Sequence, residues 1–466
     1  MIPYPAYKST NLPWLPKIPE HWEIRKLRHL LSLVSTKNRP DMPLLSVVRE
    51  KGVILRDVSN KEENHNYIPD DLSNYKLVKK GQFVMNKMKA WQGSYGVSDY
   101  DGIVSPAYFV FNLHGVMPSF FHRALRSKQY VPYFGQASDG IRVGQWDLSI
   151  PRMKEIPFAV PPPPEQEQIV RYLDSMTAKI NKLIRAKKKQ IALLQEQRQA
   201  IINHAVTKGL NPNVEMKDSG IDWIGEIPKH WIINKVSWIF GFIGSGTTPP
   251  NDNQHLFYEN GTIPWINSGD LYQNDKFIQK IARKVTTNAL MSCSALKQYP
   301  KGTIVIAMYG ASIGNMGITI ESACCNQACC CLSMPKCSLS IDFAYYLLSS
   351  CKKHWVEQSY GGGQQNISQE IIKSTRIQIP PKEEQIQIVS YLDANLRKLN
   401  NLISQCEHTI ILLQEYKNSL ISSVVTGRTD VRNIPVVEVI PDDLISEDVP
   451  ASEIEEEPPT NDESEE

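Results

Sequence analysis

No run of 18 apolar residues occurs in the 466-residue chain, so no helix built from it is expected to span a bilayer. The first residues, Met1-Ile2-Pro3-Tyr4-Pro5, lack the basic stretch and apolar core of a secretion leader. With no export route expected, the nine cysteines are read as thiols in a reducing, cytoplasmic compartment rather than as disulfides. No Gly-x-x-x-x-Gly-Lys-[Ser/Thr] loop is present, which argues against nucleotide-driven work by this chain. The Asn/Asp-Pro-Pro-Tyr/Phe tetrapeptide of an amino-methyltransferase is also missing; Pro249-Pro250-Asn251 and Pro380-Pro381-Lys382 do not supply it. No spaced set of carboxylates and lysine suggests metal-dependent phosphodiester cleavage. The cysteines from Cys324 to Cys337 are dense but lack paired Cys-x-x-Cys knuckles. They read better as a buried strand of small apolar side chains than as a metal site. No catalytic residue, metal or cofactor is therefore assigned to this chain.

Positive charge is absent from the end of the chain. No Lys or Arg follows Arg432, while Glu438 to Glu466 hold thirteen Asp and Glu. Residues 1–432 are left with 51 basic and 36 acidic side chains, a charge of +15. A body of that charge favours a polyanionic partner such as nucleic acid, although a merely soluble surface is equally compatible with it. The end itself, 429–466, reads as an acidic disordered tail.

What is present is a repeat. Trp14 and Ile18-Pro19-Glu20-His21-Trp22 recur as Trp223 and Ile227-Pro228-Lys229-His230-Trp231, 209 residues later. Pro164-Glu165-Gln166-Glu167-Gln168-Ile169-Val170-Arg171-Tyr172-Leu173-Asp174 recurs as Glu383-Glu384-Gln385-Ile386-Gln387-Ile388-Val389-Ser390-Tyr391-Leu392-Asp393, 219 residues later. A net insertion of ten residues therefore falls inside the second globular half. The halves share their ends and differ in their middles.

The shared ends have a definite physical form. Glu165–Thr207 and Glu384–Thr426 each run 43 residues without Pro or Gly. Apolar side chains recur by fours and threes at Ile169, Leu173, Met176, Ile180, Leu183, Leu194 and Ile201, and again at Ile388, Leu392, Leu399, Leu402, Leu413 and Leu420. Each stretch predicts a helix of ~64 Å at 1.5 Å per residue, opened after proline and closed at Gly209 or Gly427. Two such helices bury their stripes most simply against each other. Antiparallel pairing then sets one globular domain at each end of a rod; folding back of each helix on its own domain is the alternative. The expected architecture is α+β: two mixed α/β domains (1–160 and 210–380) and two long helices (161–209 and 381–428) forming an antiparallel coiled coil.

Within the halves, Gly81–Met85 and Gly302–Met308 have strand character, while Ser119–Lys128 and Ile341–Cys351 read as short helices. The loops interleave cations, amides and aromatics. Lys87, Lys89, Trp91 and Gln92 form one such group, and Arg142, Gln145 and Trp146 another. The second half offers Tyr309 and Ser312, then Gln364, Gln365 and Asn366 beside a glycine run. Arg or Lys bridges O6 and N7 of guanine, and Gln or Asn bridges N6 and N7 of adenine. Taken one at a time, Trp91 and Trp146 are equally read as packing residues.

The combination resembles the specificity subunits of type I restriction–modification systems. It is carried by paired Ile-Pro-x-His-Trp openings and by Glu-x-x-Gln-Ile-Val-x-Tyr-Leu-Asp-like helix starts. Further support comes from Ala90-Trp91-Gln92-Gly93, from Ile263-Pro264-Trp265-Ile266-Asn267, and from Gly363-Gln364-Gln365-Asn366. The resemblance covers about residues 10–428 and adds Asn267 to the candidate DNA contacts. It implies two target-recognition domains, each reading one half of a split site on double-stranded DNA. It implies docking of two copies of a DNA adenine methyltransferase subunit and of an ATP-dependent restriction/translocase subunit. S-adenosylmethionine, ATP and Mg would belong to those partners. A self-contained enzyme and a coiled-coil scaffold that never touches DNA are the competing readings.

Overall fold

The computed structural model describes residues 2–49, 51–56, 68–69, 71–139, 146–250, 254–272, 275–336, 338–361 and 365–436. The chain divides into two compact units, Met1–Lys187 with His408–Glu466 and Lys188–Glu407. Each unit holds one globular head, the first half of one long helix and the second half of the other. Among the described residues no helix is long and apolar enough to cross a membrane.

In the first unit the head is built on an antiparallel sheet of β1 (Leu31–Val34), β2 (Phe83–Asn86), β3 (Tyr95–Val97) and β4 (Tyr108–Leu113), in the order β1-β4-β2-β3. Central β2 is buried along its whole length, whereas edge β1 is buried only at Leu31 and exposes Leu33. That is the pattern of a strand covered on both faces beside one with an open face. Pro118 opens a helix, Pro118–Leu125, whose Phe120, Phe121, Ala124 and Leu125 are buried in the same core as Phe83 and Phe111.

The second head repeats this sheet. β5 (Phe240–Gly244), β6 (Phe277–Ile278), β7 (Ile304–Ala307), β8 (Met316–Thr319) and β9 (Cys329–Pro335) run in the order β5-β9-β7-β8-β6. The first four match β1-β4-β2-β3, and β6 adds a parallel edge strand. The middles therefore share a core and differ in what decorates it. The largest difference lies between β1 and β2 in the first head and between β5 and β7 in the second. There the first head has a hairpin, Leu45–Val48 with Gly52–Leu55, and the second has Ile263–Ile266, Lys284–Val285 and a helix capped by Thr286. The cysteines of β9 pack as small apolar side chains. Burial pushes the thiol of Cys330 in β9, and that of Cys324 in the separate strand Cys324–Cys325, up to about 12, so both are neutral at physiological pH.

The long helices span Pro163–Lys208 and Lys382–Val425. Beyond them Gly209 (φ +75°) and Gly427 (φ +71°) take the left-handed conformation that ends a helix. A Cβ at Gly427 would lie 2.3 Å from Pro19 Cδ, so the close approach also requires glycine. The helices pair antiparallel. In the first unit Gln168, near the start of the first helix, donates to Val431 O just past the end of the second (3.0 Å). Further along, Lys417 Nζ donates to Asn181 Oδ1 (3.0 Å). In the second unit Ile202, Ala205 and Val206 share a core with Ile388, Leu392 and Leu399, and Leu194 packs at its border. Ile169, Leu173 and Ile180 are buried in the first unit, with Leu413 beside them.

Three expectations are corrected. Leu183 and Leu402 leave the seam and are 53% and 44% exposed; Ile184 and Ile403 are buried instead. The seam advances by about 3.6 residues per step, the period of a straight helix, so a strict heptad drifts off it. Residues 429–436 are ordered rather than tail-like: Thr429 and Val431 are buried, and Asp430 N donates to Ile2 O at 2.8 Å. The third correction, at Ser312, belongs to the loops described next.

Candidate nucleic-acid interface

The repeated signatures meet each other. Glu165, in the first turn of its helix, is buried. It accepts from Tyr4 OH (2.5 Å) and Trp22 Nε1 (2.9 Å), and its Oε2 lies 2.6 Å from His21 Nε2. Glu384 accepts from Trp231 Nε1 (2.9 Å) and meets His230 Nε2. An acid at a helix N-terminus is favoured by the macrodipole, and here it also satisfies two buried ring donors. The adjoining glutamines act as clips. Gln166 accepts from Met117 N and donates to Pro161 O, both at 2.7 Å. Gln385 accepts from Ser340 N (2.8 Å) and donates to Pro380 O (3.0 Å). The aspartates of both Tyr-Leu-Asp runs tie the helices to the heads: Asp174 to Arg123, and Asp393 to Lys276 and Tyr346. The shared residues thus fix each head on a long helix.

On this frame the same two loops converge in each head. In the first, the turn after β2 carries Lys87 to Gly93, and the strand pair Ser138–Asp139 with Asp147–Leu148 stands against it. Leu148 N donates to Lys87 O (3.1 Å), Lys87 Nζ pairs with Asp147 Oδ2 (2.6 Å), and the Trp91 and Trp146 rings lie 5.2 Å apart. Trp91 Nε1 is enclosed and has no acceptor among the described residues. Lys89 and Gln92 are half-buried on the same turn. Asn86 Oδ1 holds that turn by accepting from Met88 N and Lys89 N. Arg152 pairs with Asp139 (2.6 Å), a neutralisation with no signature in the sequence. Arg142 and Gln145 lie outside the described residues.

In the second head the turn after β7 holds Tyr309 to Gly314 and meets Tyr360, Gln365 and Asn366. Ile367 N donates to Met308 O (2.9 Å), as Leu148 N does to Lys87 O, and Gly310 N donates to Gln365 O (2.8 Å). Tyr309 and Tyr360 are exposed, and both bridge backbone to Asn366. Gln365 is exposed and Asn366 half-buried. Ser312 is buried, and its hydroxyl donates to Tyr309 O (2.7 Å). It therefore holds the turn and presents nothing outward, contrary to its reading as a contact residue. Asn267 opens the turn Ser268–Tyr272, which packs beside Gly310–Ser312. Its backbone N–H is taken by Asp270 Oδ2 (2.9 Å). Gln364 lies outside the described residues. Tyr360, which the sequence places at the head of the same glycine-rich loop without singling it out, is an exposed aromatic here. Among the described residues no group of three His, Cys, Asp or Glu side chains could hold a metal ion.

The comparisons agree with this layout. A family model described as the type I restriction modification DNA specificity domain matches residues 19–193 and again residues 228–410. A putative type I restriction enzyme MjaX specificity subunit of Methanocaldococcus jannaschii is 22% identical over 441 residues, covering 89% of this chain and 95% of the relative. The MjaIX specificity subunit of the same organism is 30% identical over 204 residues, 42% of this chain and 45% of the relative. A solved structure concerned with complex assembly and conformational transition of the type I R-M system has a similar fold. It shows a TM-score of 0.62 at 15% identity, covering 88% of this chain and 98% of the other. Two copies of one family domain, each ending in a long helix that its own Ile-Pro-x-His-Trp motif locks in place, make this chain a member of the type I restriction–modification DNA specificity family, with two target-recognition domains.

Proposed function

We propose that this chain reads a bipartite, asymmetric site on duplex DNA, one half-site per head, and docks modification and restriction subunits along its long helices. One observation carries the reading. Equivalent loops converge in both heads with different chemistry: Lys87, Trp91 and Trp146 in one, Tyr309, Tyr360, Gln365 and Asn366 in the other. A shared mount with unlike tips suits two different half-sites, and no palindrome is expected. Phosphate contacts would position each head, and base edges would specify sequence. The domain limits follow: heads at 1–160 and 210–380, spacers at 161–209 and 381–428.

Docking is supported by the outer faces of the helices. Leu183 and Leu193 on the first, and Ile386, Tyr391, Leu402, Ile411, Leu412 and Tyr416 on the second, are exposed. Rows of large apolar side chains at a surface are the chemistry of protein contact. The occupants assigned are two adenine methyltransferase subunits, with a translocating restriction subunit joining them. S-adenosylmethionine, ATP and Mg are assigned to those partners, and no catalytic step to this chain.

The test is to express the chain with its partner subunits and map N6-methyladenine across a genome. Two unlike half-sites at fixed spacing are expected. Deleting one heptad from a single long helix should disturb assembly or spacing and leave both half-site sequences intact. Altered half-site bases would count against modular reading, and assembly without any sequence preference would favour a scaffold.

A further inference from the structure

The reading above leaves two features unused: the acid-rich end of the chain and a basic strip on the first long helix. From Glu438 onward there are thirteen acidic side chains and no basic one, against +15 on residues 1–432. The approach to that end is anchored. Val431 is fully buried, and Gln168 Nε2 donates to Val431 O (3.0 Å) and to Ile434 O (2.8 Å). The acidic segment therefore departs from beside Gln168. Arg171, Lys179 and Lys182 lie within about 60° of Gln168 around the helix axis, at 100° per residue. All three are exposed, and none makes an ion pair or side-chain hydrogen bond among the described residues.

The lengths agree. Lys179 and Lys182 stand ~17 and ~21 Å along the helix from Gln168. Asp442 and Asp443 are six and seven residues past Val436, an extended reach of ~20–25 Å. Glu438, two residues past Val436, has a reach of ~7 Å, enough for Arg171, one helical turn from Gln168. We propose that the acidic end of this chain docks on the strip Arg171–Lys179–Lys182 and competes there with other polyanions. Each exposed pair contributes little on its own. Tethering raises the local concentration into the millimolar range, so the segment occupies the strip at low salt and yields to a duplex bearing one charge per ~1.7 Å. The competition with DNA rests on the function proposed above; the docking does not.

Zero-length carbodiimide coupling of the full chain, read by peptide mass spectrometry, tests the docking directly. Couplings from Glu438–Asp448 should concentrate on Lys179 and Lys182 and fall several-fold at about 0.5 M salt, where screening acts within ~4–5 Å. Couplings spread evenly over the lysines of both units, or indifferent to salt, overturn the proposal. In the Lys179→Gln/Lys182→Gln chain, a glutamate-specific protease should clip the acidic end about threefold faster, with the unfolding midpoint unchanged. An unchanged clipping rate also overturns it. Truncation after Val436 should tighten binding to random-sequence duplex about three- to tenfold at low salt, with the gap closing as salt rises. Equal affinity of the two chains defeats the competition. If neither chain binds duplex, the DNA-reading function fails while the coupling result still judges the docking.

Discussion

The two heads differ most where they are mounted most alike. Their sheets share the order of four strands, their helices after the sheet begin at Pro118 and Ile341, and their Trp–Glu locks share a tryptophan and a histidine. At the convergent loops the first head sets a cation against a carboxylate and two tryptophan rings against each other at a tilt, while the second offers tyrosines and amides. Conserved mounting with variable tips means that the tips are free to change without loss of fold. The locks are not identical either. Glu165 is buried and receives Tyr4, His21 and Trp22, whereas Glu384 is about a third exposed and receives only His230 and Trp231 among the described residues. The extra partner in the first unit comes from the start of the chain, which Asp430 N also grips through Ile2 O.

The largest break in the comparison should come from the indoles. Trp22 and Trp231 are both fully buried, and truncation to Ala leaves a cavity beside a carboxylate that has lost a donor. Each change should cost about 3–5 kcal/mol, and each within its own unit. Urea unfolding followed by hydrogen exchange should show loss of protection confined to residues 1–187 and 408–436 for Trp22→Ala, and to 188–407 for Trp231→Ala. Loss spread evenly over both units would show that the heads do not stand alone.

Such a lock could be read in the sequence because its members are rare residue types at a repeated offset. Two Ile-Pro-x-His-Trp motifs 209 residues apart, and two Glu-Gln helix starts 219 apart, announce a common mount. The shared sheet was hidden. Phe83-Val84-Met85-Asn86 and Ile304-Val305-Ile306-Ala307 occupy equivalent central strands 221 residues apart; both follow a Lys-Gly turn, and within the strands only apolar character is common. The insertion before them shifts the register, so an identity search at one offset passes over them. Loop positions were legible from composition, but their pairing was not. Lys87 and Asp147 are 60 residues apart, and nothing local announces the ion pair. Ser312 looked like a donor for a ligand because sequence cannot show that its hydroxyl closes its own turn. Leu183 failed for a different reason, the slow drift between a 3.5- and a 3.6-residue repeat.

Acid should separate the units. The half-buried ring of His122 accepts from Val97 N (3.0 Å), and burial, with Arg126 and Arg123 nearby, lowers its pKa to about 3. The corresponding position in the second head is Tyr345, which does not titrate in this range. The unfolded chain takes up the proton near pH 6.5, while the folded unit resists it. Stability from this group is thus fully present above about 6.5 and is lost as pH falls toward about 3, at ~1.4 kcal/mol per unit. At pH 5 the loss is ~2 kcal/mol. The first unit should melt earlier than the second in acid. His122→Gln, which keeps an acceptor, should flatten that dependence; an unchanged pH profile would show that the histidine is not its source.

The finest contrast lies at the loops. The Lys87–Asp147 pair is 42% and 52% exposed at its side chains, so breaking it should change stability by less than ~1 kcal/mol. Its effect on recognition should be larger than its effect on folding. Under the proposed function Asp147 partly neutralises a cation that faces duplex. Lys87→Ala should therefore weaken binding about five- to tenfold and lower the salt slope by about one. Asp147→Asn should strengthen binding by a smaller factor, because it uncovers the charge without adding one. Asn366→Ala in the second head removes an amide from the equivalent loop and should relax discrimination at its own half-site by ~1–3 kcal/mol. Methylation maps separate the cases: Lys87→Ala should lower occupancy with both half-sites intact, whereas Asn366→Ala should degrade one. If Asn366→Ala blurred both half-sites equally, the heads would not read independently, and the likeness of their mounts would reflect folding alone.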